Sequence, residues 1–372
     1  MRRIAFITPE SFLDVDLPIV KELNKQMEFF WIVTFASSKR NDQHVYSPEQ
    51  IKEYSRLNGI SHLNVLCPYR VSDPRRIKTS LHIIKKIREF DPDVIYFNSF
   101  FDPYLAVFSR VFLGKKKSII ALHDIELHPG SDSFFHKLSH WIIMNSFSNY
   151  HVFSDSQLKQ FKVINPYVRT FLIGLFLKDF GQLKEEKTEQ EGGKINFLFF
   201  GTDYPYKGLD VFIKAVNLLS QSTNDFIITV AGKSEKFDRF KDLIVDKSIF
   251  DLHLGFIKSE DIPGLFNKAD FIVLPYYQVT QCGPLMIAFN YNLPAIASDL
   301  PGFTENIIDR KTGFIFPKGD HYKLAEVLGN IVLKDRIGIL KMKVNLSEYV
   351  KKNYDYIKKT EEYLDMFLAV SE

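Results

Sequence analysis

The sequence lacks any apolar run of the ~18 residues that a membrane-spanning helix needs. Its opening, Met1-Arg2-Arg3-Ile4-Ala5-Phe6-Ile7-Thr8-Pro9-Glu10, is too short an apolar stretch for a signal peptide and reads as a first β-strand. Cysteine is nearly absent. Cys67 and Cys282 allow one bridge at most, which points to a reducing compartment and a cytoplasmic protein. There is no internal repeat and no low-complexity tract, so repeat architectures are excluded. Excess charge is also small, +3 overall. Residues 1–180 carry 24 Lys and Arg against 18 Asp and Glu, and the remainder carry 24 against 27. That asymmetry is too mild for a nucleic-acid partner, yet it lets the first half suit an anionic surface.

What is present points to a two-domain α/β protein. A chain of 372 residues exceeds what one hydrophobic core usually supports. Apolar residues at 45% and charged residues at 25% place it among ordinary soluble globular proteins, and its 35 phenylalanines thicken the cores without identifying a function. Apolar strands alternate with amphipathic helices in both halves, the signature of parallel sheets covered on both faces. In the first half, strands are expected at Ile4–Thr8, Phe29–Phe35, Val94–Asn98, Ser118–Leu122 and Tyr150–Phe153, with helices near 17–26, 76–90, 103–113 and 134–147. In the second, strands are expected at Ile195–Phe200, Phe226–Ala231, His253–Leu254, Phe271–Pro275, Ala295–Ser298 and Gly313–Phe316. Helices are expected there near 209–220, 236–247, 259–268 and 284–291, and the stretch from Tyr349 to Phe367 closes the chain as a helix. The charged segment Lys184–Gly193 has no apolar periodicity and ends in two glycines, as a linker does. The division is therefore 1–180, a linker at 181–194, a second domain at 195–348, and a final helix at 349–372. Two such domains set a cleft between the carboxyl ends of their strands, where α/β sheets bind ligands.

Four segments carry residues suited to chemistry. Phe200-Gly201-Thr202-Asp203-Tyr204-Pro205-Tyr206-Lys207-Gly208 leads from a buried strand through a loop into a helix. Such a loop offers backbone amides and a helix N-terminus to an anion, and Lys207 adds a full charge; an ordinary β–α turn with a solvated lysine has the same spacing. Gln281-Cys282-Gly283-Pro284 opens a further helix, whose free amides form a second anion site or a plain capped helix end. Its N-terminus should lower the Cys282 thiol pKa and leave the thiol partly accessible, with Cys67 as a loop cysteine for control. His123 and Asp124, at a strand end, can bond a sugar hydroxyl or move a proton, or be structural. Pairing His123 with His128 on a metal is poor, because both lie in a loop with no clear third ligand. Asp14 and Asp16 can touch an acceptor or cap the helix near Leu17, and Asp91-Pro92-Asp93 stops one element and starts the next.

Together these segments resemble the retaining, GT-B-fold glycosyltransferases of family four, most closely over residues 195–320. The Gly201 to Lys207-Gly208 loop, Leu254-Gly255-Phe256-Ile257 through Ala269-Asp270 to Pro275, Leu293 to Asp299, Pro301-Gly302-Phe303-Thr304-Glu305 and Asn306 to Pro317 follow the family's order. Asp91–Phe97 and Leu122-His123-Asp124 match more loosely. The resemblance implies two Rossmann-like domains, with the C-terminal helix returning to the first. It also implies that Lys207 and the amides near Gly201 and Gly283 hold a donor diphosphate, with Thr202, Gln281 and Cys282 beside it. His123 would face the sugar or acceptor, and Glu305 would support the donor pocket. Three departures stand out: Thr202 replaces a frequent arginine, Val279 and Ile287 replace two glutamates, and Ser11-Phe12-Leu13-Asp14 replaces a glycine-rich loop. Thr280-Gln281-Cys282-Gly283 resembles a recognised variant of the motif.

The implied activity is retaining, metal-independent transfer of a sugar from a nucleotide-diphosphate donor to a saccharide or lipid-linked acceptor, with no cofactor. Surface-polysaccharide synthesis at the inner face of the membrane would suit it. The basic helix Arg75 to Arg88, with Lys115-Lys116-Lys117, fits either an anionic membrane surface or a solvated helix face. A non-catalytic scaffold of the same fold is the alternative, and a nucleotide-sugar epimerase is a more distant one.

Overall fold

The structure is a computed structural model that describes residues 2–36, 46–99, 102–114, 117–126, 134–181, 193–233, 238–334 and 336–371. Most of the expected linker and His128 lie outside the described residues. The chain divides into one unit of Met1–Phe176 with Tyr356–Glu372 and another of Leu177–Asp355.

In the first unit, β1 (Arg3–Pro9), β2 (Glu28–Ala36), β3 (Ser61–Cys67), β4 (Val94–Phe97), β5 (Ser118–Ala121), β6 (Asn149–Val152) and β7 (Arg169–Leu172) form one parallel sheet. Its order is β3-β2-β1-β4-β5-β6-β7, with Ile4 opposite Phe29 on one side and Val94 on the other. Between the strands run α1 (Leu13–Asn24), α2 (Pro48–Leu57), α3 (Arg76–Phe90), α4 (Pro103–Phe108), α5 (Phe134–Ser146) and α6 (Asp155–Ile164). The twofold alternation of a strand sends Ile4, Phe6, Trp31 and Tyr96 to one core. Ala5, Ile7, Ile32, Ile95 and Phe97 go to the other, under Ile83, Ile84 and Ile87 of α3 and Ile142, Ile143 and Met144 of α5.

Several first-unit elements differ from expectation. α1 begins four residues before Leu17 and has no side-chain cap, so Asp14 and Asp16 lie within its first turn and cap nothing. Cys67 closes β3 and is buried, so it is not a loop cysteine. Asp91 ends α3 at φ 48°, and Asp93 accepts the Arg3 amide at 2.9 Å, so this pair does stop a helix and tie down a strand.

The second unit holds β8 (Ile195–Phe200), β9 (Phe226–Gly232), β10 (Phe250–Leu254), β11 (Phe271–Leu274), β12 (Ala295–Ser298) and β13 (Gly313–Phe316), all parallel, in the order β10-β9-β8-β11-β12-β13. Its helices are α7 (Leu209–Leu219), α8 (Asp238–Lys241), α9 (Ile262–Lys268), α10 (Gly283–Asn290), α11 (Pro301–Thr304), α12 (His321–Lys334) and α13 (Arg336–Asn353). The helix expected near 236–247 shrinks to the single turn of α8. The final helix α14 (Tyr356–Ser371) starts later than residue 349. Residues up to Asn353 belong to α13, because buried Tyr354 anchors the break: its ring packs edge-on against Phe289, and its hydroxyl donates to Asn306 Oδ1 at 2.6 Å. Past that break the chain returns to the first unit, where Tyr363, Met366 and Phe367 enter the core with Phe6 and Tyr96. Among the described residues no helix is long and apolar enough to cross a membrane.

Candidate active site

In the second unit, β8 has β9 on one side and β11 on the other, the point where strand order reverses and ligands of α/β sheets gather. The chain leaves β8 at Gly201, whose φ of 107° is costly for any side-chain-bearing residue. A Cβ on Gly201 would lie 2.6 Å from Lys207 Nζ, so the missing side chain is what lets the ammonium lie over the loop. The single turn Pro205–Lys207 ends at Gly208, with φ 65°, where a Cβ would lie 2.0 Å from the Pro275 carbonyl oxygen. The Tyr277 amide also donates to the Tyr206 carbonyl at 2.7 Å, binding the loop to the end of β11.

Lys207 is consequently only 8% exposed, and its Nζ lies 5.7 Å from the centre of the Tyr276 ring. Burial pushes its pKa below the usual lysine value, and only the Cys282 thiol and Asp203 pull it back. Among the described residues none forms a salt bridge with Lys207 Nζ. Burying a cation with only Asp203 and a thiol to offset it is costly, and an anion bound there lowers the cost.

Next to it begins α10, with Cys282 at its N-cap; Pro284 has no amide hydrogen and the Leu285 amide bonds the Cys282 thiol, which leaves the Gly283 amide in the first turn without a partner within the helix. The Lys178 side chain lies over this end, since a Cβ on Gly283 would meet its Nζ at 3.2 Å. Cys282 does not behave as the sequence suggested. It is 4% exposed, and burial pushes its thiol up to about 11, outweighing the Leu285 amide, Lys207, Tyr276 and Lys178. A helix terminus stabilises a thiolate by less than full desolvation costs it. Gln281 and Thr202 are half-buried. Glu305 is exposed at the end of α11, whose Gly302 abuts Val279 and the Thr280 carbonyl. Ile287 is buried in α10 beside Leu285, Met286, Ala288 and Phe289.

The first unit has its own cluster where β1 is flanked by β2 and β4. Asp16 is 2% exposed; it accepts from Thr8 Oγ1 at 2.8 Å and from Asn98 Nδ2 at 2.7 Å to each carboxylate oxygen. Thr8 Oγ1 in turn accepts from Trp31 Nε1 at 2.8 Å. A carboxylate only accepts, so the Asn98 amide nitrogen must face Asp16 and its Oδ1 must face His123 Nε2, 2.7 Å away. His123 therefore carries its proton on Nε2. Phe12 and Phe153 stack on its ring with centroids at 3.9 and 4.5 Å, and Gln157 Nε2 donates to its backbone carbonyl at 2.8 Å.

One expectation for this unit needs correction: Asp16, bonded to Thr8 and Asn98, lies within the core, where an acceptor does not reach it. Asp124 acts on His140 of α5, opposing the burial that lowers that imidazole's pKa. Asp14 is half-buried on α1. Sequence reasoning missed Asn98, Lys178, Phe12, Phe153 and Tyr276. For Asn98 a signal existed: an amide closes an otherwise apolar strand segment. Lys178 sits in a stretch without helix or strand and gave no periodic cue.

Residues 182–353 match the family described as glycosyl transferases group 1, and the chain has the GT-B fold. HepE of Anabaena, solved in complex with UDP and glucose, superposes with a TM-score of 0.74 at 15% identity, over 99% of this chain and 100% of that one. An uncharacterized 41.2 kDa protein in the cps region of Klebsiella pneumoniae is 23% identical over 269 residues, 67% of this chain and 72% of that protein. The O-antigen chain mannosyltransferase RfbU of Salmonella typhimurium is 25% identical over 200 residues, 51% of this chain and 54% of that one.

Proposed function

We propose that this chain is a retaining, metal-independent glycosyltransferase that moves a sugar from a nucleoside-diphosphate donor to a saccharide or lipid-linked acceptor in the synthesis of a surface polysaccharide, working at the inner face of the membrane. The observation that carries the reading is Lys207, buried over the Gly201 loop and next to the start of α10, with no salt bridge to its Nζ among the described residues. As the bond from the sugar to the diphosphate breaks, negative charge grows on the departing phosphate. Lys207, Lys178 and the Gly283 amide are the groups we assign to stabilising it, a role that needs no metal ion. The acceptor oxygen bonds to the sugar carbon on the same face, and its proton passes to the departing phosphate. His123, oriented by its Nε2 bond to Asn98, is the group we assign to a hydroxyl of the sugar or acceptor.

One observation favours a second reading, a scaffold without activity: Val279 and Ile287 stand where the resemblance expects carboxylates, and Ile287 is closed into the core. Calorimetry with UDP is the first test, because HepE was solved with UDP and glucose. Binding followed by transfer in the presence of a chelator supports the enzyme. Failure to bind every nucleoside diphosphate tried supports the scaffold.

A further inference from the structure

On the first unit, α3, α4 and α5 cover one face of the sheet and turn their other sides to water. On α3, Ile83, Ile84 and Ile87 point inward, while Lys78, Leu81, Lys85 and Arg88 fall on the exposed side. After α4 the chain widens into a π-helical turn over Ser109–Leu113. This turn carries Val111 and Phe112 outward, 65% and 48% exposed. Val107 beside them, and Trp141 and Phe134 on α5, are exposed as well. A groove of about 420 Å³ runs between α3 and Phe112, with Leu81, Ile84 and Phe112 as apolar lining and Lys85, Arg88 and Glu89 at its polar edge.

Charge decides what such a face fits. Residues 76–90, 103–113 and 134–146 together contain seven Lys or Arg and a single acid, Glu89. That acid is already paired, with Lys86 at 2.7 Å and Lys85 at 3.7 Å. Scattered exposed apolar side chains are ordinary, but apolar side chains gathered along one groove are not, and lysine is depleted where two proteins meet. Apolar side chains ringed by cations, with an indole among them, match the boundary of an anionic bilayer.

We propose that the α3–α4–α5 face docks on an anionic phospholipid bilayer, with Val111, Phe112 and Trp141 entering the headgroup layer and Lys78, Lys85, Arg88 and Arg110 bound to lipid phosphates. This places the membrane contact of the function proposed above on named residues. It uses none of the residues assigned to the donor or to His123.

The test is sedimentation with phosphatidylcholine vesicles, with and without about one-third phosphatidylglycerol. Binding only to the anionic vesicles, weakened by added salt, is expected. Val111→Ser with Phe112→Ser, and separately Lys85→Glu with Arg88→Glu, should each weaken it by ~10-fold or more. Circular dichroism and UDP affinity should stay unchanged in both. Equal binding to the two vesicle types, binding to neither, or variants that bind like the parent overturns the proposal. So does a concentration-dependent dimer that Phe112→Ser dissolves. Because vesicle binding and UDP binding are measured apart, failure of one does not count against the other.

Discussion

Burial of the Lys207 charge costs the fold stability, so its replacement should separate stability from activity. Lys207→Met keeps the aliphatic length and removes the buried charge, and its thermal midpoint should equal or exceed that of the parent. Transfer should fall by ~2–3 kcal/mol in kcat/KM once a donor is identified. A variant with near-normal kcat/KM removes this loop from the donor site. The loop itself was legible, because glycine, lysine and glycine between a buried strand and a helix is a local pattern. The state of Cys282 was not legible, since the outcome depends on Tyr276, Leu285 and Lys207 closing around it. With both thiols buried and pushed up to about 11, a maleimide at pH 8 should label neither Cys67 nor Cys282 in the native protein, while urea exposes both. Rapid native labelling of Cys282 would show that this helix end opens.

Among the elements, those with two buried faces were the ones readable as apolar runs: β4, β5, β11 and β12 lie within a residue or so of expectation. Edge strands β3 and β7 were missed because Ser61-His62-Leu63-Asn64 and Arg169-Thr170-Phe171-Leu172 mix polar and apolar residues on half-exposed backbone. Inside β6, His151 makes a contact no pattern predicts. Its Nε2 donates to the Ile173 carbonyl at 2.9 Å, so Nδ1 accepts from the Tyr96 hydroxyl at 2.8 Å and the ring is neutral. Burial lowers its pKa to about 3, helped by His123 and Lys359 and opposed by the Ile173 hydrogen bond. In the unfolded chain the same group titrates near ~6.5. Between those values the unfolded state holds the extra proton, so this contribution is complete above ~6.5 and is lost as the pH falls towards 3. The slope approaches ~1.4 kcal/mol per pH unit. Both tryptophans, Trp31 and Trp141, lie in the first unit, so their fluorescence follows its unfolding alone. The urea midpoint seen this way should drop between pH 7 and pH 5, and drop less in His151→Gln; equal pH dependence in the two proteins would remove His151 as the cause.

At the scale of the whole chain, the first unit is built from two pieces separated by the whole second unit. The returning α14 packs on α1 and β4, and its Tyr363 ring meets Tyr96, His151 and Phe176 with centroids 5.8, 5.3 and 5.7 Å away. Buried Lys359 donates to the Gly174 carbonyl at 3.1 Å, closing the other end of the helix onto the segment after β7. Fully burying Tyr363, Met366 and Phe367 is worth about 1.5–3 kcal/mol each, and a domain's net stability is only about 5–15 kcal/mol. A chain ending at Asp355 should therefore lose the first unit and keep the second. Its tryptophan emission should be red-shifted without denaturant, and proteolysis should spare a fragment near 177–355. That fragment holds Lys207, Lys178 and α10, so it should bind UDP with an affinity close to that of the full chain, if UDP is the donor nucleotide. Residues 1–176 expressed alone should be unfolded, and adding a peptide of residues 356–372 should restore a blue-shifted emission. If 1–176 alone unfolds cooperatively at the urea midpoint of the intact protein, α14 is an accessory to the first unit and the packing of Tyr363, Met366 and Phe367 contributes little to its stability.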